Sequence, residues 1–216
     1  MIKIIKNRDL QWDFQNKDPY FRLYNHRVVY VDPFPCYRHN LELTSGLIQE
    51  VESKFYLQDN ITYFLSEFEA ISRTNATAYS DLIHEPGSSK IVGVNLAVSF
   101  SGKRTCIHPC MTKYLCSHEY GHLVQYFIEW KSGISADYKR RDEFEIEYAK
   151  MRNIEFNNEY GGRKWHSNTG EIIANDFRIC ITGMESEYYP HDCTHPLLEK
   201  KVQDFWSSMK KEYSNC

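Results

Sequence analysis

The segment His118-Glu119-Tyr120-Gly121-His122 constrains this chain more than any other five residues. Residues four apart on an α-helix stand one above the other on the same face, so a helix here would bring both imidazoles to one side. Good helix formers from Met111 to about Trp130, with Tyr114, Leu115, Tyr126, Phe127 and Trp130 among them, predict such a helix with the pentapeptide in its middle. Gly121 weakens that helix by about 1 kcal/mol relative to alanine, a penalty best understood where another element must approach the backbone closely.

Two imidazoles so placed can converge on one cation at about 2.0 to 2.1 Å, and His-Glu-x-x-His on a helix is the pattern that zinc hydrolases of the zincin class use. Glu119 follows the first histidine and is turned toward the open side of the ion without ligating it, where a carboxylate can take a proton from water. A third ligand must come from elsewhere. A histidine six residues after His122 would define one subclass, but that position is Ile128. The remaining option is a later carboxylate, and Glu171 in the segment GEIIANDFRIC is the best candidate. Glu171, Ala174, Asn175 and Arg178 share one helical face, while Ile172, Ile173, Phe177 and Ile179 cover the others. The small Ala174 permits close helix approach, and Asn175 is placed to bond the second ring nitrogen of a ligand histidine and fix its tautomer. A competing reading makes Asn168-x-x-Glu171 a capping box, with the glutamate bonding back to the first amide of its helix. Asp176 is the alternative third ligand and His166 a weaker one.

HEYGH followed by Glu171, Ala174, Asn175 and Phe177 resembles the gluzincin pattern of the ImmA/IrrE-like metallopeptidases. The resemblance covers two short segments, about a tenth of the chain. It implies zinc held by His118, His122 and Glu171, and catalysis by Glu119.

The rest of the chain bounds the surroundings of this motif. At 216 residues it is long enough for one sizeable core, and a single metallopeptidase domain over 1–216 is expected. Its two parts would be a sheet and HExxH-helix part over 1–135 and a helical part over 136–216 carrying the third ligand. Leu43, Leu47, Val51 and Phe55 fall on one face of an expected helix over Leu41–Phe55. Asn60–Phe68, Thr77–His84 and Ile91–Phe100 are rich in β-branched and aromatic residues and read as strands of one sheet. The charged stretch Asp137–Asn158 reads as a mostly solvated helix with a narrow apolar side, and further helices are expected over 168–181 and 197–213. The fold class that follows is α+β, zincin-like, with an N-terminal mixed sheet, the active-site helix and a mainly helical C-terminal half.

A net charge of -3 gives no basic footprint for nucleic acid, and no apolar run approaches the roughly 20 residues that span a bilayer. Seven cysteines without a visible secretion signal point to free thiols and a cytoplasmic location. Cys106-x-His108-x-Cys110 with Cys116 lacks the spacing that closes a structural zinc knuckle, so these read as buried inert thiols, with oxidant sensing by Cys116, two residues before His118, as the lesser alternative. Tyr188, Tyr189, His191 and His195 lie in a loop-like segment from which an oxyanion donor could come. Phosphate-binding loops and serine-hydrolase elbows are absent. The expected activity is peptide-bond hydrolysis on a protein or peptide substrate with a Zn2+ cofactor. The alternatives are a catalytically silent zincin-like binding or regulatory module, and a zinc hydrolase acting on a non-protein amide.

Overall fold

The computed structural model describes residues 3–6, 28–31, 38–57, 61–66, 78–84, 88, 90–99, 109–135, 140, 142–159, 167–184 and 193–214. Strands β1 (Lys3–Lys6) and β2 (Val28–Val31) precede helix α1 (Arg38–Lys54), and strands β3 (Ile61–Ser66), β4 (Ala78–His84) and β5 (Ile91–Ser99) follow it. The C-terminal part carries α2 (Pro109–Lys131), α3 (Glu143–Arg152), α4 (Thr169–Phe177) and α5 (Lys200–Tyr213). A π-helical turn, Arg178–Thr182, prolongs α4, and a 3-10 turn, Pro196–Leu198, leads into α5.

The strands lie side by side in the order β1-β2-β3-β5-β4. The first three and β5 run parallel, while β4 pairs antiparallel with β5 at the edge. Parallel neighbours need a crossover, and α1 supplies it between β2 and β3. Strands β3, β4 and β5 fall where the β-branched and aromatic runs placed them. Strands β1 and β2, four residues each, carry too few residues to show an alternation.

The fold-class expectation, an α+β zincin organised by an N-terminal mixed sheet, is corrected here. The described chain is mainly helical, and the body that carries the site is built by helices. Of the buried apolar residues described, only Ile91, Val94 and Leu96 come from strands. The physical reason is the setting of α2. Cys116, His118, Glu119, Tyr120, Leu123, Val124, Gln125, Phe127, Ile128 and Glu129 are all buried, so the helix is enclosed on every side rather than amphipathic. It packs against α1, α4, β4 and β5. Ser80 Oγ on the edge strand donates to the Glu119 carbonyl at 2.7 Å, fastening the sheet to the motif itself.

Aromatic residues from four helices fill the core. The Phe177 ring lies 5.6 Å from Phe55 and 5.3 Å from Trp206, both edge-on, the geometry that ring quadrupoles favour. Tyr120, on the far side of α2 from the two histidines, is fully buried and donates its hydroxyl to the Phe55 carbonyl at 3.0 Å. One face of the HEYGH turn therefore anchors the helix while the other is free for chemistry. Val51, on α1, and Phe55, just past its end, are buried as expected, while Leu47 is only partly buried and its neighbour Ile48 is in the core; the Leu43 side chain lies outside the described residues.

Helix α3 differs from its expected form. It is shorter than the charged stretch, and two of the residues it turns inward, Glu145 and Arg152, are charged. Among the described residues, no helix is long and apolar enough to cross a membrane.

Candidate metal centre

His118 and His122 come from adjacent turns of α2, and their rings meet edge to face at 4.9 Å. Helix α4 lies alongside and brings Glu171 in from its first turn. Glu171 Oε2 stands 3.0 Å from His118 Nε2, and Oε1 stands 3.4 Å from His122 Nε2. One ligand atom from each residue falls within 4.8 Å of the others, so this buried group can hold a metal ion.

Of the expected capping box only the Asn168 half forms, and the Glu171 carboxylate does not bond back to the helix start. Asn168 caps α4, its Oδ1 accepting from the Glu171 backbone N–H at 3.2 Å. The carboxylate itself turns to the histidines. Its position in the first turn of α4 also suits an anion, since the helix dipole is positive at that end.

A close helix contact sets this geometry. A Cβ added to Gly121 would lie 2.8 Å from both Cα and the carbonyl oxygen of Ala174, backbone atoms that cannot swing aside. Gly121→Ala should therefore destabilise the fold by about 1–3 kcal/mol through overpacking, despite alanine's better helix propensity. The displaced helices would also lose their hold on metal. Thermal unfolding and metal content of the purified variant check both effects, and an unchanged midpoint would contradict the contact.

Asn175, one turn along from Glu171, performs the expected tautomer-fixing role. Its Oδ1 lies 3.1 Å from His118 Nδ1 and also accepts from Arg178 Nη2 at 3.2 Å and Tyr114 Oη at 3.3 Å. Three donors on one oxygen fix the orientation of the amide, so His118 Nδ1 must carry a proton. The Arg178 guanidinium in turn lies 3.9 Å from the Tyr114 ring centroid, and that ring stacks on His118. Arg178 was legible as sharing the Glu171 face, and Tyr114 as one turn before His118; the link between them was not.

Electrostatics reinforce the picture. Burial acts to lower His122, but the Glu171 and Glu119 carboxylates outweigh it and hold its pKa up at about 9. Glu171 shows the converse: burial would raise it, yet the two histidines hold it well below the usual carboxylate range. Glu119 is raised, chiefly by burial and further by Glu171, with His122 and His118 offsetting part of the rise. A carboxyl shifted upward toward neutrality is better suited to accept a proton and later return it.

Asp176 is not part of the group. It is fully buried on another side of α4, where Arg152 Nε meets its Oδ2 at 2.8 Å and the Tyr148 hydroxyl donates to Oδ2 at 2.7 Å. Its place as alternative ligand is therefore corrected. Five residues from Glu171 along a helix is 140° around it, which carries Asp176 away from the histidines. Cys116 is buried and its thiol is pushed up to about 12 by burial, with Glu119 adding to the rise, which fits the inert thiol expected and not the oxidant sensor. His195 precedes the 3-10 turn beside Thr194, whose carbonyl accepts from Arg152 on the Asp176 side of α4. His166, Tyr188, Tyr189, His191, Cys106, His108 and the Cys110 side chain lie outside the described residues.

No family model, curated protein or solved structure matches this chain. The resemblance to the ImmA/IrrE-like metallopeptidases rests on its two sequence segments alone.

Proposed function

We propose that this chain is a zinc-dependent peptidase in which His118, His122 and Glu171 hold the ion and Glu119 is the general base. One observation carries the metal part of this reading. With the proton on Nδ1 donated to Asn175, His118 Nε2 has a lone pair, and it faces a carboxylate oxygen at 3.0 Å. Two acceptors at that distance repel unless a positive charge lies between them, as either a second proton or a metal ion. Two imidazoles and one carboxylate are the donor set of a catalytic zinc site, which keeps its fourth position open. Zinc bound there would supply Lewis acidity and lower the pKa of a coordinated water to near neutrality.

The chain's own residues supply the rest. Glu119 is 8% exposed, so its carboxylate works in a medium where charge is weakly screened and a proton transfer is strongly felt. Its backbone is pinned by Ser80, which limits drift of the carboxylate away from the histidine face. Asn175 keeps the His118 ring from turning, with Nδ1 toward the amide and Nε2 toward Glu171. In turnover Glu119 accepts a proton from water and passes it to the leaving amine.

Metal analysis of the full chain beside His118→Ala and Glu171→Ala tests the site, and digestion of a mixed peptide pool read by mass spectrometry tests the activity. One zinc per wild-type chain, loss in both variants, and new peptide termini that vanish with chelator and return with zinc are the expected results. Stoichiometric zinc with no cleavage of any peptide would overturn the peptidase assignment.

A further inference from the structure

Asn175 Oδ1 takes three hydrogen bonds, but the three donors are not equivalent. A tyrosine hydroxyl can give or accept, and a neutral imidazole nitrogen can carry a proton or lack one, so Tyr114 and His118 would fit either end of the Asn175 amide. A guanidinium has only donors and is never deprotonated in a protein. Arg178 Nη2, 3.2 Å from Oδ1, is therefore the one group of the three that decides which way the amide points. We propose that Arg178 is a positioning residue for the metal centre: through Asn175 it draws the His118 Nδ1 proton to the amide and leaves Nε2 to serve as the ligand atom. The inference rests on the reading of His118 as a zinc ligand.

The surroundings of Arg178 hold it to this task. Its side chain is fully buried, and its guanidinium carbon lies 3.9 Å from the Tyr114 ring centroid. That ring stacks within 7° of parallel to the His118 ring, and its hydroxyl meets the same Asn175 oxygen at 3.3 Å. The backbone is fixed as well. A π-helical turn begins at Arg178, whose carbonyl accepts from the Thr182 hydroxyl and from the Met184 N–H at 3.5 Å. The Thr182 carbonyl accepts from Lys54 Nζ at 2.7 Å, which ties the turn to α1. Single π turns are rare and concentrate at functional sites.

The guanidinium acts on the site in two opposed ways. Through space, a buried positive charge repels a divalent cation, so by charge alone a neutral residue at this position would tighten zinc binding. Through Asn175, the same replacement frees the amide to turn its Nδ2 toward His118. Nδ1 then accepts, and the ring proton moves to Nε2, the nitrogen that must ligate. The sign of the change in affinity separates the two.

Competition of the full chain with a zinc chelator measures that affinity without reference to turnover. Arg178→Met, similar in length and uncharged, should bind zinc about 10–100-fold more weakly than wild type, the range for loss of a group that orients a ligand. Arg178→Lys, which also only donates, should recover most of the loss. In an Asn175→Ala background Arg178→Met should bring no further weakening, because the relay is already broken. Equal or tighter binding by Arg178→Met, a lysine variant no better than methionine, or the same loss in the Asn175→Ala background would each overturn the proposal. Should Arg178→Met not fold, Arg178→Gln, which can donate or accept, takes its place with the same expectations. Nitrogen NMR of the zinc-loaded wild type should find the His118 proton on Nδ1 and the metal on Nε2; the reverse would overturn the proposal whatever the variants do. A wild type that takes up no zinc defeats the proposed function as well, whereas a zinc-binding wild type with an unweakened Arg178→Met defeats this inference alone.

Discussion

Glu119→Gln should keep one zinc per chain and lose peptide turnover by about a thousandfold, the middle of the range for removing a positioned general base. The substitution is nearly isosteric, and Glu119 lies outside the His118–His122–Glu171 group, so the ligand set is left whole. What changes is one atom that can accept a proton. The carboxylate is also the group whose burial and neighbours have moved its pKa upward, so its replacement removes a negative charge from an enclosed place. Metal affinity should therefore fall slightly, if at all, while kcat collapses and KM stays near its wild-type value. Zinc content, thermal midpoint and single-turnover cleavage measured on one preparation separate these effects. Turnover within a few-fold of wild type would remove Glu119 from the mechanism. A silent binding module predicts something different: wild type and variant alike would bind partner peptides without releasing products.

The parts of this site that were legible in the sequence are those set by one helix at a time. His118 and His122 share a face by spacing alone. Glu171, Ala174 and Asn175 share another, and the small residues Gly121 and Ala174 announced the approach of the two helices that the structure shows. What escaped detection needs partners distant in sequence. Glu145 and Arg152 read as solvated charges on a charged helix, yet each is buried against groups 20 or more residues away, Gln125 for one and Asp176 for the other. Nothing in a periodic pattern distinguishes a charge facing water from a charge facing a buried partner. Residue type was the only guide, and charged types are rarely buried unless paired. The fold class failed for a related reason. Helix α2 is buried on all sides, so its neighbours, and not its own pattern, set its central place. The runs that formed β3, β4 and β5 were recognisable.

Asp176→Ala should be among the most destabilising single substitutions in the chain, by about 3–5 kcal/mol, because it breaks a buried ion pair from one side only. Asp176 is fully buried and Arg152 is 3% exposed. The aspartate holds Arg152 through Nε at 2.8 Å and Nη2 at 3.3 Å, and it accepts from Tyr148, which in turn accepts from Trp206 Nε1 at 3.2 Å. Arg152 also reaches Glu199, the N-cap residue just before α5, and the Thr194 carbonyl at 2.9 Å. One carboxylate thus joins α3, α4 and α5 beneath the aromatic core. Removing it leaves a guanidinium in a place with little water and a tyrosine hydroxyl without its acceptor. For a chain of this size the thermal midpoint should fall by about 10 °C. Asp176→Asn keeps the acceptor for Tyr148 and should lose less. Zinc content separates this structural role from ligation: below its lowered midpoint, Asp176→Ala should still bind one zinc, while Glu171→Ala should not. Loss of zinc in folded Asp176→Ala, with Glu171→Ala retaining it, would reverse the assignment of the third ligand.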